Sequence, residues 1–248
     1  MKKRIVIVGA TSAIAQQCAR LWGREAGVEL TLIGRDEQRL GRVAADLTVR
    51  NPQCAVSCIQ TDMLDPKIIE RVVAVLFQSG RVDIVLIAQG ALPQQADCQS
   101  DLQACADALV LNSLSPVLFA EAFAMHMLNA QHGTLALIGS VAGDRGRKSN
   151  YVYGAAKGLV ERYAQGLQHR MAGTGVKLVL IKPGPTDTPM TAHLKAQGVK
   201  LAPVEKVAQQ MVVAIQKGQP TVYAPGKWWL IMMIIKHLPA VIFNKLNI

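Results

Sequence analysis

The sequence predicts an α/β fold: a single-domain, doubly wound parallel sheet with helices on both faces, followed by an apolar helical tail. Three observations predict it. Short β-branched runs alternate with longer amphipathic stretches through most of the 248 residues, the pattern of successive βαβ units. A glycine turn at Gly9 joins the first run to the first amphipathic stretch. Half of the residues are hydrophobic, 18% are charged and 4% are aromatic, which suits strands of Ile, Val and Leu buried on both faces.

The elements follow in order. Lys2-Lys3-Arg4 and the apolar run Ile5-Val6-Ile7-Val8 superficially resemble a secretory leader. The run breaks at Gly9 after four residues, far short of a leader's apolar region, so 4–8 is expected to be a first buried strand. A helix is expected over 13–24, a strand over 29–33 and a helix over 37–50. A strand over 55–60 and a helix over 67–78 come next. Strands at 83–87, 133–138, 176–181 and 221–223 complete the sheet. A long helical pattern fills 102–129, and a further helix is expected over 153–166. Gly80, Gly133 and Gly175 stand where chain reversals before strands are needed. No internal repeat and no low-complexity linker divides the chain. Residues 1–225 are read as one domain and 226–248 as a tail of different composition.

Composition narrows the function. The net charge of +10 favours anionic partners. No basic helix, zinc spacing or aromatic–basic interleaving points to nucleic acid. The five cysteines, Cys18, Cys54, Cys58, Cys98 and Cys105, match no metal or disulfide pattern, so no metal site is expected and the thiols are read as reduced in a cytoplasmic protein. No run of 18 apolar residues is present to cross a bilayer.

The chemistry-bearing residues lie in the second half. If Tyr153 opens a helix, Lys157 shares its face. A free phenol has a pKa near ~10, too high for efficient proton exchange at neutral pH. A neighbouring ammonium is expected to lower it. Ser140, thirteen residues before Tyr153, supplies a hydroxyl to hold a carbonyl. These parts suit proton delivery to an oxygen as a hydride reaches its carbon. Tyr-x-x-x-Lys alone recurs by chance on many helices, so the rest of the chain must support it.

Ligands of such sheets bind at the carboxyl ends of the strands. The first end carries Gly9, Thr11, Ser12, Ala13 and Ile14, a turn into a helix N-terminus that can face a pyrophosphate. Ala13 and Ala15 stand where a full glycine fingerprint has glycines, which predicts a looser grip. The second end carries Gly34-Arg35 rather than an acid. A guanidinium there suits the extra phosphate of NADP, with NAD as the alternative and a solvated helix-opening arginine as the bland reading. Asp62 and Met63 end the third strand; Asp62 either accepts from an adenine or caps the next helix. Ala88, Gln89 and Gly90 end the fourth, where small residues admit a cofactor.

With these parts in register, the chain resembles the short-chain dehydrogenase/reductases, whose sheets are of the Rossmann type. The resemblance runs through most of 3–223. It rests on Gly9, Asp62, Gly90, Asn112, Ser140, Tyr153, Lys157, Pro183-Gly184 and Thr188 in one order. Ala13, Ala15 and Ile87-Ala88-Gln89-Gly90 depart from the usual pattern. The resemblance implies that Tyr153 is the general acid, that Lys157 lowers its pKa and holds the nicotinamide ribose, and that Ser140 orients the carbonyl. It implies that Asn112 anchors a relay water through an irregularity in its helix. Pro183, Gly184, Thr186 and Thr188 would shape the nicotinamide pocket, although Thr188 also suits a helix cap before Pro189. Homo-oligomers are implied as well.

A narrower similarity, to bacterial decaprenylphosphoryl-D-2-keto-erythro-pentose reductases, rests on Gly143 to Gly154 and on the ending from Tyr223 onward. It implies a 2-keto sugar carried on polyprenyl phosphate, a partner flavin oxidase and a role in cell-wall biogenesis. Trp228-Trp229-Leu230-Ile231-Met232-Met233-Ile234-Ile235 is too short to cross a bilayer, but with its flanking lysines it suits the headgroup boundary. Residues 228–248 are therefore expected to touch the inner face of the membrane, or else to pack a subunit or cover an apolar pocket. Arg145, Arg147 and Lys148 are read as either a substrate phosphate site or a solvated loop. The alternatives are a reductase of a soluble ketone or 3-oxoacyl thioester, and a dinucleotide-responsive binding protein without catalysis.

Overall fold

A computed structural model describes residues 2–246. Met1, and Asn247 and Ile248 of the expected tail, lie outside the described residues. Seven strands form one parallel sheet in the order β3-β2-β1-β4-β5-β6-β7. They are β1 (Lys3–Val8), β2 (Val28–Gly34), β3 (Ala55–Gln60), β4 (Ile84–Ile87), β5 (Gly133–Ile138), β6 (Val176–Pro183) and β7 (Thr221–Ala224). The order reverses between β1 and β4, which opens a crevice beyond their carboxyl ends.

Alternation along the strands sends side chains into two cores. Ile5 and Ile7 meet α1 (Ala13–Trp22), α2 (Glu37–Arg50) and α9 (Val204–Lys217) on one face. Val6 and Val8 meet α3 (Pro66–Gln78), α6 (Ser115–Ala130) and α7 (Tyr151–Met171) on the other. Each fully buried Leu, Ile or Phe stabilises the fold by roughly 1.5–3 kcal/mol. The helix starts follow local chemistry: Asp36 accepts from Arg39 N at 2.9 Å, and Asp65 accepts from Lys67 N and Ile68 N ahead of α3. The single helix expected over 102–129 is instead α5 (Leu102–Leu109), a π-helical turn at Val110–Leu114, and α6. Pro116 has no N–H to offer the Asn112 carbonyl, and its ring crowds that carbonyl, so the turn widens there. The stretch Leu102–Ala130 is long and apolar enough to span a bilayer, but half of it is buried against the sheet, with Phe119 and Phe123 fully enclosed.

The remaining helices are α4 (Gln95–Ser100), α8 (Ala192–Ala196), α10 (Lys227–His237) and α11 (Ala240–Phe243). The tail packs on the domain. The Trp228 indole lies where a β-carbon on Gly184 would stand, and Met232 is fully buried.

Candidate active site

A cleft of about 140 Å³ opens at the carboxyl ends of β1, β4, β5 and β6. Ser12 and Ile14 reach it from the start of α1, and Ala88, Gln89 and Gly90 from the end of β4. Ser140 follows β5, while Tyr153 and Lys157 project from the first two turns of α7. Pro183, Gly184, Thr186 and Thr188 close the far side. The residues the sequence separates by 176 positions thus meet at one place.

Gly9 makes this convergence possible. Its φ is +75°, and a β-carbon there would stand 2.5 Å from Gln89 N. A side chain would strain the backbone and collide with the next strand end. Ser12 stands at the N-cap of α1 without using its side chain as a cap, so the first-turn N–H groups are left to face a ligand.

Asn112 does not line the cleft. It is fully buried in the π turn, donates to Ala108 O at 2.8 Å and accepts from Ala91 N at 2.9 Å. The irregularity implied at Asn112 is present, and its side chain holds the Gly90–Ala91 backbone. Met63 sits behind the cleft, its carbonyl accepting from Ser115 Oγ, which also receives the Gln89 amide. Asp62 is exposed and accepts from Leu64 N and Asp65 N, a turn just ahead of α3, whose cap is Asp65. Arg35 is exposed at the tip of β2, outside the cleft with Gly9, Thr11 and Ala13. Thr188 stands at the N-cap of the 3₁₀ turn Pro189–Thr191 and also lines the cleft.

The electrostatics correct one expectation. The Tyr153 pKa is not lowered. Burial pushes it up to about 12, with the Ser140 hydroxyl pulling the other way. The reason is the placement of the cation. Lys157 Nζ donates to Ile138 O at 3.0 Å and stands 5.8 Å from the centre of the Tyr153 ring. Lys157 is only 2% exposed, and burial lowers its own pKa to about 8. At neutral pH the phenol is therefore a protonated acid beside a cation held at a cost.

Sequence reasoning missed a second group. Lys182, 1% exposed, meets Asp144 and also Glu161 at 2.7 Å, while Tyr223 donates to Asp144 at 3.1 Å. This network fixes the loop after Ser140. Lys182, at the end of the apolar run Leu178-Val179-Leu180-Ile181 in β6, is the one signal that pointed to it. The same loop ties down the tail. Arg145 donates to the carbonyls of Ile235 and Leu238, both at 2.6 Å, and covers the Phe243 ring at 3.8 Å.

Comparison with known proteins agrees with this geometry. The family model described as short chain dehydrogenase matches residues 3–198. An uncharacterized oxidoreductase from the mprA 5′ region of Streptomyces coelicolor is 28% identical over 244 residues, 98% of this chain and 96% of that protein. An uncharacterized oxidoreductase of Mycobacterium tuberculosis is 29% identical over 243 residues, again 98% and 96%. A short-chain dehydrogenase from Sphingobium yanoikuyae in complex with NADPH superposes with a TM-score of 0.81 at 22% identity, covering 96% of this chain and 97% of that one.

Proposed function

This chain belongs to the short-chain dehydrogenase/reductase family, and we propose that it uses NADPH to reduce a ketone, carried on a lipid-linked sugar, to a secondary alcohol. The observation that carries the reading is the meeting of Ser140, Tyr153 and Lys157 in one cleft with the phenol protonated. An acid that holds its proton at neutral pH is matched to giving it to a developing alkoxide, a far stronger base than phenolate.

The cleft suits the dinucleotide. The uncapped start of α1 offers N–H groups to a pyrophosphate. The close approach of Gly9 to Gln89 leaves the turn free of side chain, and Gln89 Oε1 is buried without a partner among the described residues. Arg35 replaces the ribose-binding acid at the tip of β2 and favours NADP over NAD. When bound, NADPH supplies the hydride. Ser140 would hold the carbonyl oxygen, Tyr153 would protonate it, and Lys157 would bind ribose hydroxyls with its ammonium. Asn112 would keep the Gly90 backbone in place.

The lipid-linked substrate is supported by the tail. Trp229, Leu230 and Ile234 are 56%, 59% and 58% exposed on α10, beside Lys227 and Lys236, and Trp228 of the same helix touches the cleft wall at Gly184. An apolar, cation-flanked helix at the mouth suits contact with an anionic membrane on its cytoplasmic face. Such a substrate would come from an oxidation that makes the ketone, in keeping with a partner flavin oxidase.

The test is NADPH consumption with a polyprenyl-phosphoryl 2-keto pentose in anionic vesicles, against soluble ketones and a 3-oxoacyl thioester. The expected result is preference for the lipid-linked ketone, lost in a Trp229→Asp/Ile234→Asp variant that still reduces a short-chain analogue. That variant is cleaner than removal of the tail, because Trp228 and Met232 are part of the packed domain. Preference for the thioester or a soluble ketone would overturn the lipid assignment.

A further inference from the structure

We propose that Arg147 is the substrate-selecting residue of the cleft and binds a phosphate ester oxyanion close to the ketone. The proposal rests on the reductase reading and names what that site selects.

Of the three basic residues in the loop after Ser140, only Arg147 lines the cleft. Arg145 is committed to the carbonyls at the end of α10, and Lys148 is exposed. A guanidinium carries five donors. Arg147 uses them poorly: its contacts are Val141 O at 3.4 Å and Met232 Sδ at 3.8 Å, and its buried Nε has no partner. Among the described residues no carboxylate lies within ion-pairing distance of it. Asp144, the acid nearest in sequence, is held by Lys182, Tyr223 and Lys236.

Among the described residues the lining of the cleft has no acidic side chain and two cations, Lys157 and Arg147. The proposed chemistry uses Lys157 and leaves Arg147 without a task. A partly desolvated guanidinium with unmet donors is built to receive an oxyanion, and its planar fork matches phosphate. Burial also lowers its pKa, with the Asp144 charge pulling the other way. Asn150 also lines the cleft, and its buried Oδ1 has no partner among the described residues, an acceptor suited to a sugar hydroxyl. Together they describe a ketone flanked by a hydroxyl and a phosphate ester.

The experiment compares one keto pentose in two water-soluble forms, a short-chain alkyl phosphodiester and the neutral methyl glycoside. For the unmodified protein, kcat/KM is expected to favour the phosphodiester by on the order of 100-fold, the weight of a charge-assisted hydrogen-bond pair. Arg147→Met should erase that preference through KM while changing turnover of the methyl glycoside by less than about threefold. Arg147→Lys should restore part of it, since the charge returns without the fork. An unmodified protein without the preference, or an Arg147→Met variant that keeps it, would overturn the proposal. Equal loss on both substrates would also overturn it, showing Arg147 to be a support for Met232. If Arg147→Met does not fold, the Lys variant decides: KM must rise for the phosphodiester alone. Failure of the lipid reading leaves a distinct signature, because a soluble sugar phosphate would then be preferred over the polyprenyl form with the Arg147 dependence intact.

Discussion

Two lysines are almost wholly buried in this protein, and the fold treats them in opposite ways. Lys182 is surrounded by Asp144, Glu161 and the Tyr223 hydroxyl. Lys157 receives a single carbonyl, Ile138 O. The first is a compensated charge that holds a loop. The second is left undercompensated, at the mouth of a cleft, beside a phenol. Burying a cation without a counter-charge is unfavourable, and a fold that tolerates it does so where a ligand will meet the charge.

The comparison can be broken from either side. Lys182→Met leaves Glu161 without its cation and Asp144 with only Lys236 at 3.5 Å, and should destabilise the protein by about 3–5 kcal/mol in chemical denaturation. A loss below about 1 kcal/mol would mean that Asp144 and Glu161 are relieved some other way. Lys157→Met should do the reverse. Its folded pKa of about 8, against an ordinary 10.5, means that the charged form is disfavoured by folding. That penalty is full below pH 8 and vanishes above pH 10.5. The variant should therefore be more stable than the parent by about 3 kcal/mol at neutral pH, with the difference shrinking to zero as pH rises through that window. It should also lose turnover. A variant destabilised at neutral pH would mark Lys157 as structural. The smallest effect is expected from Tyr223→Phe, which removes one hydrogen bond to Asp144 and should cost about 1.5–3 kcal/mol, leaving catalysis intact.

Much of this was legible in the sequence, because parallel strands buried on both faces must be written in β-branched runs. All seven strands stand where those runs stand. Their ends were less legible: β6 and β7 each extend further because Pro183 pairs with Ala224, a partnership set by tertiary register. The break at Asn112 was implied by resemblance, and Pro116 shows its local cause. The positions of Ser140, Tyr153 and Lys157 followed from spacing, but the direction of the Tyr153 shift did not. Helical spacing places a lysine near a tyrosine. It does not reveal that a carbonyl from β5 will hold the ammonium, or how deeply the phenol will be buried. The split between Arg145 and Arg147 was equally hidden, since only the packing of α10 gives Arg145 its carbonyl partners and leaves Arg147 lining the cleft.

The central claim is that Tyr153 gives its proton to the carbonyl oxygen. The most direct measurement is single-turnover NADPH oxidation by Tyr153→Phe, using a ketone that the unmodified protein reduces, together with NADPH affinity. The account predicts a rate lower by about 10²–10⁴-fold or more with cofactor affinity unchanged. A rate within about threefold of the parent, under the same conditions, would contradict it.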